Sequence, residues 1–147
     1  MTILEAINTV DGQKFNTYTT AEKVAWLSRL DGLVKRMIID THEGWEYVSF
    51  GGYNDKTPME TELLVPAPFD EIYLRWLEAQ IDYANGEYDK YNNSILMYNS
   101  AYDAYANYYN RYNMPLSVKN NYFSFGRTGV GSRHPFNNII DVNIEEV

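Results

Sequence analysis

Few residues in this chain have the types and spacing for chemistry. His42 and His134 are the only two histidines, and cysteine is absent. In "DTHEG", Asp40, His42 and Glu43 could together offer imidazole and carboxylate ligands to a cation. The spacing matches no zinc motif. On an extended backbone Asp40 and His42 would share one side and Glu43 would face the other, so only a turn would gather all three. His134, in "GSRHPF", stands alone and defines no chemistry. Ser28, Ser94 and Ser100 lie in no nucleophile elbow. "GRTGVG", from Gly126 to Gly131, has the glycines of a phosphate loop. It lacks the closing Lys-Ser or Lys-Thr and the bracketing strand and helix, so it reads as a flexible arm. Arg127 and Arg133 read as solvated cations of that arm. Asp70 and Glu71 suit the first turn of a helix, and Glu71 can pair with Arg75 at i,i+4. Glu78 and Asp82 repeat that spacing with like charges. A two-carboxylate hydrolase needs its acids to converge on one cleft, and nothing in the sequence converges them. The expectation is therefore a protein that is not an enzyme, with no catalytic, metal or cofactor-binding residues and no cofactor.

The chemistry that does stand out is that of contact. Tyrosine occurs 14 times. Tyr88, Tyr91, Ile95, Tyr98, Tyr102, Tyr105, Tyr109 and Tyr112 follow one another in steps of three and four, the period of one helical face. Buried tyrosine needs water or a partner at its hydroxyl, and tyrosine favours interfaces because it joins a large apolar ring to a polar tip. Such a stripe can be a core seam with hydroxyls at its rim. Tyr108 and Tyr109 are adjacent, however, and cannot both point into a thin bundle. With Asn92, Asn93, Asn99, Asn107 and Asn110 between them, these side chains suit a wet interface. The expected interface residues are Tyr91, Tyr98, Tyr102, Tyr105, Tyr108, Tyr109 and Tyr112, joined by Tyr122, Phe123 and Phe125 of the tail. A sugar platform is a weaker reading, because a continuous helix offers no concave pocket.

The elements that would position these residues are mainly helical. "TILE" is a capping box that predicts a short helix to about Asn8, followed by a loop turned at Asp11-Gly12. Thr19 and Glu22 cap a helix with its body at Ala21 to Ile39. Val24, Leu27, Leu30, Val34 and Ile38 form its apolar stripe, widened by Trp26 and Met37. "WEYVSF" and "TELLV" read as two strands of a β-hairpin at about 45–66, which must lie against helices to be stable. A helix with Pro68 in its first turn carries Phe69, Ile72, Tyr73, Trp76, Leu77, Gln80 and Ile81 on one side, and Gly86 breaks it from the tyrosine helix. That last helix, Glu87 to Tyr112, would be about 39 Å long. The expected architecture is mainly α: a three-helix core with a long antiparallel helical hairpin, a small β-hairpin excursion and extended terminal arms. Its parts would be a short helix and loop at 1–18, a helical domain at 19–115 and a C-terminal arm at 116–147, with Ile139 to Ile144 able to add as a strand to an exposed edge.

Bulk properties narrow the function. A length of 147 residues suits one domain with arms. The start has no signal-peptide pattern, and the longest nearly apolar stretch, "LLVPAPF", is far too short for a membrane span. A formal net charge of -8 disfavours generic attraction to nucleic acid or anionic lipid.

Three segments carry a family resemblance: "EKVAWLSRLDGLVKRMIIDTHEG", the stretch "TELLVPAPFDEIYLRWLEAQIDYANGEYDKYNNSILMYNSAYDAYANYYNR", and the aromatic tail after "NMP". They resemble small structural proteins of the morphogenesis modules of tailed phages and prophages of Gram-positive bacteria, proposed as head-tail connectors or adaptors. The likeness spans Thr20 to Pro115 and is sharpest in "LLVPAPFDEIY", "AQIDYANGEYDKYNNS" and "YANYYNR". It implies a non-enzymatic virion structural protein that self-associates into a ring at the portal–tail junction. Its partners would be portal and tail or neck proteins, and its place the virion neck, reached from the host cytoplasm during assembly. DNA would pass through such a ring without specific binding, and no membrane is involved. Two other classes remain. An acidic DNA mimic or inhibitor of a host partner would need carboxylates clustered at phosphate-like spacing. A small enzyme of unrecognised class would need a deep pocket holding His42 with two acids.

Overall fold

The computed structural model describes residues 1–116. Four α-helices follow in chain order: α1 (Ile3–Gln13), α2 (Thr20–Met37), α3 (Glu71–Ala84) and α4 (Tyr88–Tyr112). Two single-turn 3-10 helices, Ile39–Thr41 and Trp45–Tyr47, begin the long connection between α2 and α3. The tail residues singled out above, including Tyr122, Phe123, Phe125, His134 and Ile139 to Ile144, lie outside the described residues.

Both capping boxes form as their spacing requires. Thr2 and Glu5 exchange side-chain and backbone hydrogen bonds at the start of α1, and Thr19 and Glu22 do so at the start of α2. The first helix runs past its expected end, through Asp11-Gly12 to Gln13. Ile3, Ala6, Ile7 and Val10 recur at helical spacing and are all buried, so packing overrides the local turn preference of Asp-Gly. The core is accordingly built on four helices and not three. The predicted stripe of α2 is buried throughout, but Met37 is 58% exposed and does not widen it.

The β-hairpin expected at about 45–66 does not form; among the described residues there is no strand, only isolated bridges such as that between Thr2 and Glu62. "WEYVSF" begins with a 3-10 turn entered from Gly44, whose φ of 84° suits glycine. "TELLV" is occupied by a different partner. The amides of Ile3 and Leu4, unpaired donors of the first turn of α1, bond to the carbonyls of Thr61 and Met59, and the amide of Leu63 bonds to that of Met1. The backbone groups a hairpin would have used are spent on the N-terminus of a helix. Pro68 is also not in the first turn of α3. It precedes Asp70, which sits at the N-cap, and the helix starts at Glu71.

Helix α3 organises the molecule. It packs along α4 and also against α1 and α2. Ile72, Tyr73, Leu77 and Ile81 are fully buried at the centre of the core. Each such apolar side chain contributes about 1.5–3 kcal/mol on removal from water. Gly86, with φ 73°, closes α3 and turns the chain back into α4.

Candidate functional site

The tyrosine stripe divides into an inner seam and an outer margin. Tyr98 and Tyr105 are buried, 6% and 2% exposed, and face the chain's own core. The ring of Tyr98 lies 5.0 Å from Trp76, and that of Tyr105 lies 5.9 Å from Phe69. Tyr91, Tyr102 and Tyr109 are half-buried, against Tyr83, Tyr98 and His42 respectively. Burial pushes the Tyr105 hydroxyl up to about 12 and those of Tyr102 and Tyr109 upward too. Six of the seven tyrosines expected at an interface therefore belong in whole or part to an intramolecular aromatic seam, Tyr108 through the Phe69 ring at 4.6 Å. Tyr112 remains largely exposed, its ring tilted at 45° to that of Tyr108 and 4.8 Å from it.

The free face of α4 is on its other side and is not built of tyrosine. Leu96 is 64% exposed and Met97 52%. Around them run exposed Asn93, Ser100, Ala104 and Asn107. Glu71, Arg75, Met97, Ser100, Ala101 and Ala104 line a shallow groove of about 240 Å³ where α3 meets α4. Arg75 is clamped there by Glu71 at 2.5 Å and Glu78 at 3.1 Å, so the predicted i,i+4 pair is present. Only two residues of the 25 in α4, Tyr98 and Tyr105, are fully buried. Charged residues are almost absent from its middle: between Tyr91 and Asn110 the only one is Asp103.

The residues of "DTHEG" do not converge. Asp40 pairs with Lys35. His42 is buried, and its Nδ1 donates to the Ile38 carbonyl at 2.6 Å, capping the C-terminal end of α2. Its ring meets the Tyr109 ring edge-on at 5.1 Å. The backbone of Glu43 bonds to Met114, so this segment ties the end of α2 to the end of α4. Among the described residues no group of three or more acids and histidines could hold a metal ion. Two of the three serines are engaged elsewhere, Ser28 accepting from the Tyr53 amide at 2.9 Å and Ser94 donating to Asp82 at 2.5 Å, while Ser100 is exposed in the groove.

Two acids are buried that the sequence did not place in the core, Asp31 and Asp82, the latter read there only as a like-charge neighbour of Glu78. Asp31 lies at 0% exposure inside the α2 stripe. It accepts from the Tyr73 hydroxyl at 2.6 Å, the Tyr53 hydroxyl at 2.5 Å and the Leu64 amide at 3.1 Å. Tyr73 in turn accepts from the Val65 amide at 2.7 Å. One carboxylate thus pins the irregular segment Tyr53–Val65 to α2 and α3. Burial pushes its carboxyl upward, against the hydrogen bonds that pull it down. Asp82, also at 0%, holds Lys14 and Ser94 and so fastens α3 to the end of α1 and to α4. The signal for Asp31 was its position: it stands four residues after Leu27 and three before Val34, on the apolar face.

No family model, no curated protein and no solved structure matches this chain.

Proposed function

We propose that the chain is a non-enzymatic phage or prophage virion protein, a head-tail connector subunit that assembles with copies of itself into a ring at the portal–tail junction. The observation that supports this reading is the outer face of α4. A helix of 25 residues is fastened along one side by an aromatic seam, while its other side presents exposed Leu96 and Met97 amid uncharged polar residues. Interface cores are depleted in charge and enriched in such apolar groups. The buried acids Asp31 and Asp82 are engaged in holding the scaffold. The resemblance of Thr20 to Pro115 to phage adaptors supplies the setting: virion neck, with portal and tail or neck proteins as neighbours. Electron microscopy of the purified full chain and of virions tests it. The expected result is a closed ring of the purified protein and density for that ring at the head-tail junction. Virions from a host expressing no such chain, yet with heads and tails joined at normal yield, would overturn the role.

A further inference from the structure

A ring of identical subunits requires a heterologous contact: one patch on each copy must meet a different patch on the next. The inference here deepens the assembly reading above by naming both patches. The first is the outer line of α4, where Asp89, Leu96 and Asp103 follow at intervals of seven residues and are all exposed. The second is on α2. Arg29, Leu33 and Arg36 share its outward side, all exposed, with Met37 at its edge. Leu33 is 41% exposed and Met37 58%.

These two faces carry charges of opposite sign around their apolar centres. The chain as a whole is at -8. Helix α2 nevertheless carries four basic residues and two acids, one of which is the buried Asp31. Lys23 is paired with Asp11 and Lys35 with Asp40, whereas Arg29 and Arg36 enter no ion pair among the described residues. On α4, Asp89 and Asp103 likewise enter none, while Lys90 is held by Glu87 at 2.8 Å. An apolar centre flanked by arginines thus exists on one helix, and an apolar centre flanked by aspartates on another. A two-fold pairing of α4 with itself, centred on Leu96, would instead set Asp89 of one copy against Asp103 of the other, which is repulsive. Helix α3 packs against both α2 and α4.

We infer that the outer face of α4 docks on the outer face of α2 of the next copy, Leu96 against Leu33, with Arg29 and Arg36 drawn to Asp89 and Asp103. The test uses the full chain and two variants with surface changes. One is Arg29→Glu with Arg36→Glu; the other is Leu96→Asn with Asp89→Asn and Asp103→Asn. Thermal melting checks that both keep the wild-type fold. Light scattering after size exclusion then reads the mass. Wild type should form the oligomer, and each variant alone should fall to the monomer mass of 17.1 kDa. Mixed, the variants should form a one-to-one heterodimer that grows no further, because only one intact pair of faces remains. If wild type assembles and either variant assembles equally well, or if the mixture gives no heterodimer, this contact is wrong and the ring reading stands. If wild type stays monomeric at every concentration, both are wrong.

Discussion

At the scale of single residues, Asp31 and Tyr98 set the sharpest expectations. Asp31 is buried without a cation beside it and receives three hydrogen bonds. In Asp31→Asn the amide nitrogen must face a hydroxyl or amide donor, and about 3 kcal/mol of stability should be lost, read by urea unfolding. Its pH dependence has a definite sign. Burial raises the folded-state value above the unfolded one of about 3.9, so the contribution of the carboxyl is fully present below that value and declines as pH rises through the folded one. The advantage of wild type over Asp31→Asn should be larger near pH 4 than near pH 7; a gap that widens with pH would contradict the arrangement. Asp11 runs the other way. Burial acts to raise it, but Lys23 and Asn16 outweigh that and hold it low, so its contribution is lost as pH falls. Tyr98 is enclosed by Trp76 and Tyr102, and its hydroxyl makes no hydrogen bond among the described residues. Tyr98→Asp should cost several kcal/mol, on the order of 4, by placing a carboxylate in an apolar contact. Tyr98→Phe should change the melting temperature little. Equal melting of wild type and the Asp variant would refute the inward orientation.

At the scale of elements, what was legible followed from local rules. Two capping boxes, the apolar stripe of α2, the inner side of α3, the break at Gly86 and the length of α4 are consequences of spacing that neighbours in sequence can express. The hairpin misread had a tertiary cause: the extended "TELLV" segment meets the N-terminus of α1, more than fifty residues earlier, and no local pattern announces that meeting. The tyrosine period was correctly helical, yet it marked the side facing α3, and the outer face was carried by Leu96 and Met97 instead. The same limit hid the Lys14–Asp82 link, which joins residues remote in sequence. Asp82 is fully buried, and Lys14 is its cation. Lys14→Met should leave that carboxylate with Ser94 alone and destabilise the chain by about 3–5 kcal/mol. The double variant Lys14→Met with Asp82→Asn should recover part of the loss. Chemical denaturation of the four proteins closes the cycle, and a coupling energy near zero would show that the pair does not act as a link.

At the scale of the whole molecule, charge is unevenly laid out. The connection from Ile38 to Asp70 holds seven acids and one lysine, while α4 holds two of each sign. Most of the net charge therefore sits in this connection, of which Asp31 pins only the part from 53 to 65, and the long helix is left nearly neutral. This division bears on any assembly of like copies. Acidic segments on neighbouring subunits repel over distances set by the Debye length, about 30 Å at 0.01 M salt and about 10 Å at 0.1 M. The contact proposed between α2 and α4 combines apolar burial with short ion pairs, which salt weakens less than it weakens long-range repulsion. Between roughly 0.01 M and 0.15 M salt the self-association of the full chain should therefore tighten, measured by sedimentation velocity at fixed protein concentration. Neutralising part of the acidic segment, with Glu43→Gln, Glu46→Gln and Glu60→Gln, should tighten assembly at low salt and flatten its salt dependence. If association instead weakens steadily as salt is added, attraction between opposite charges governs the contact, and the uncharged centre of α4 is not what holds the copies together.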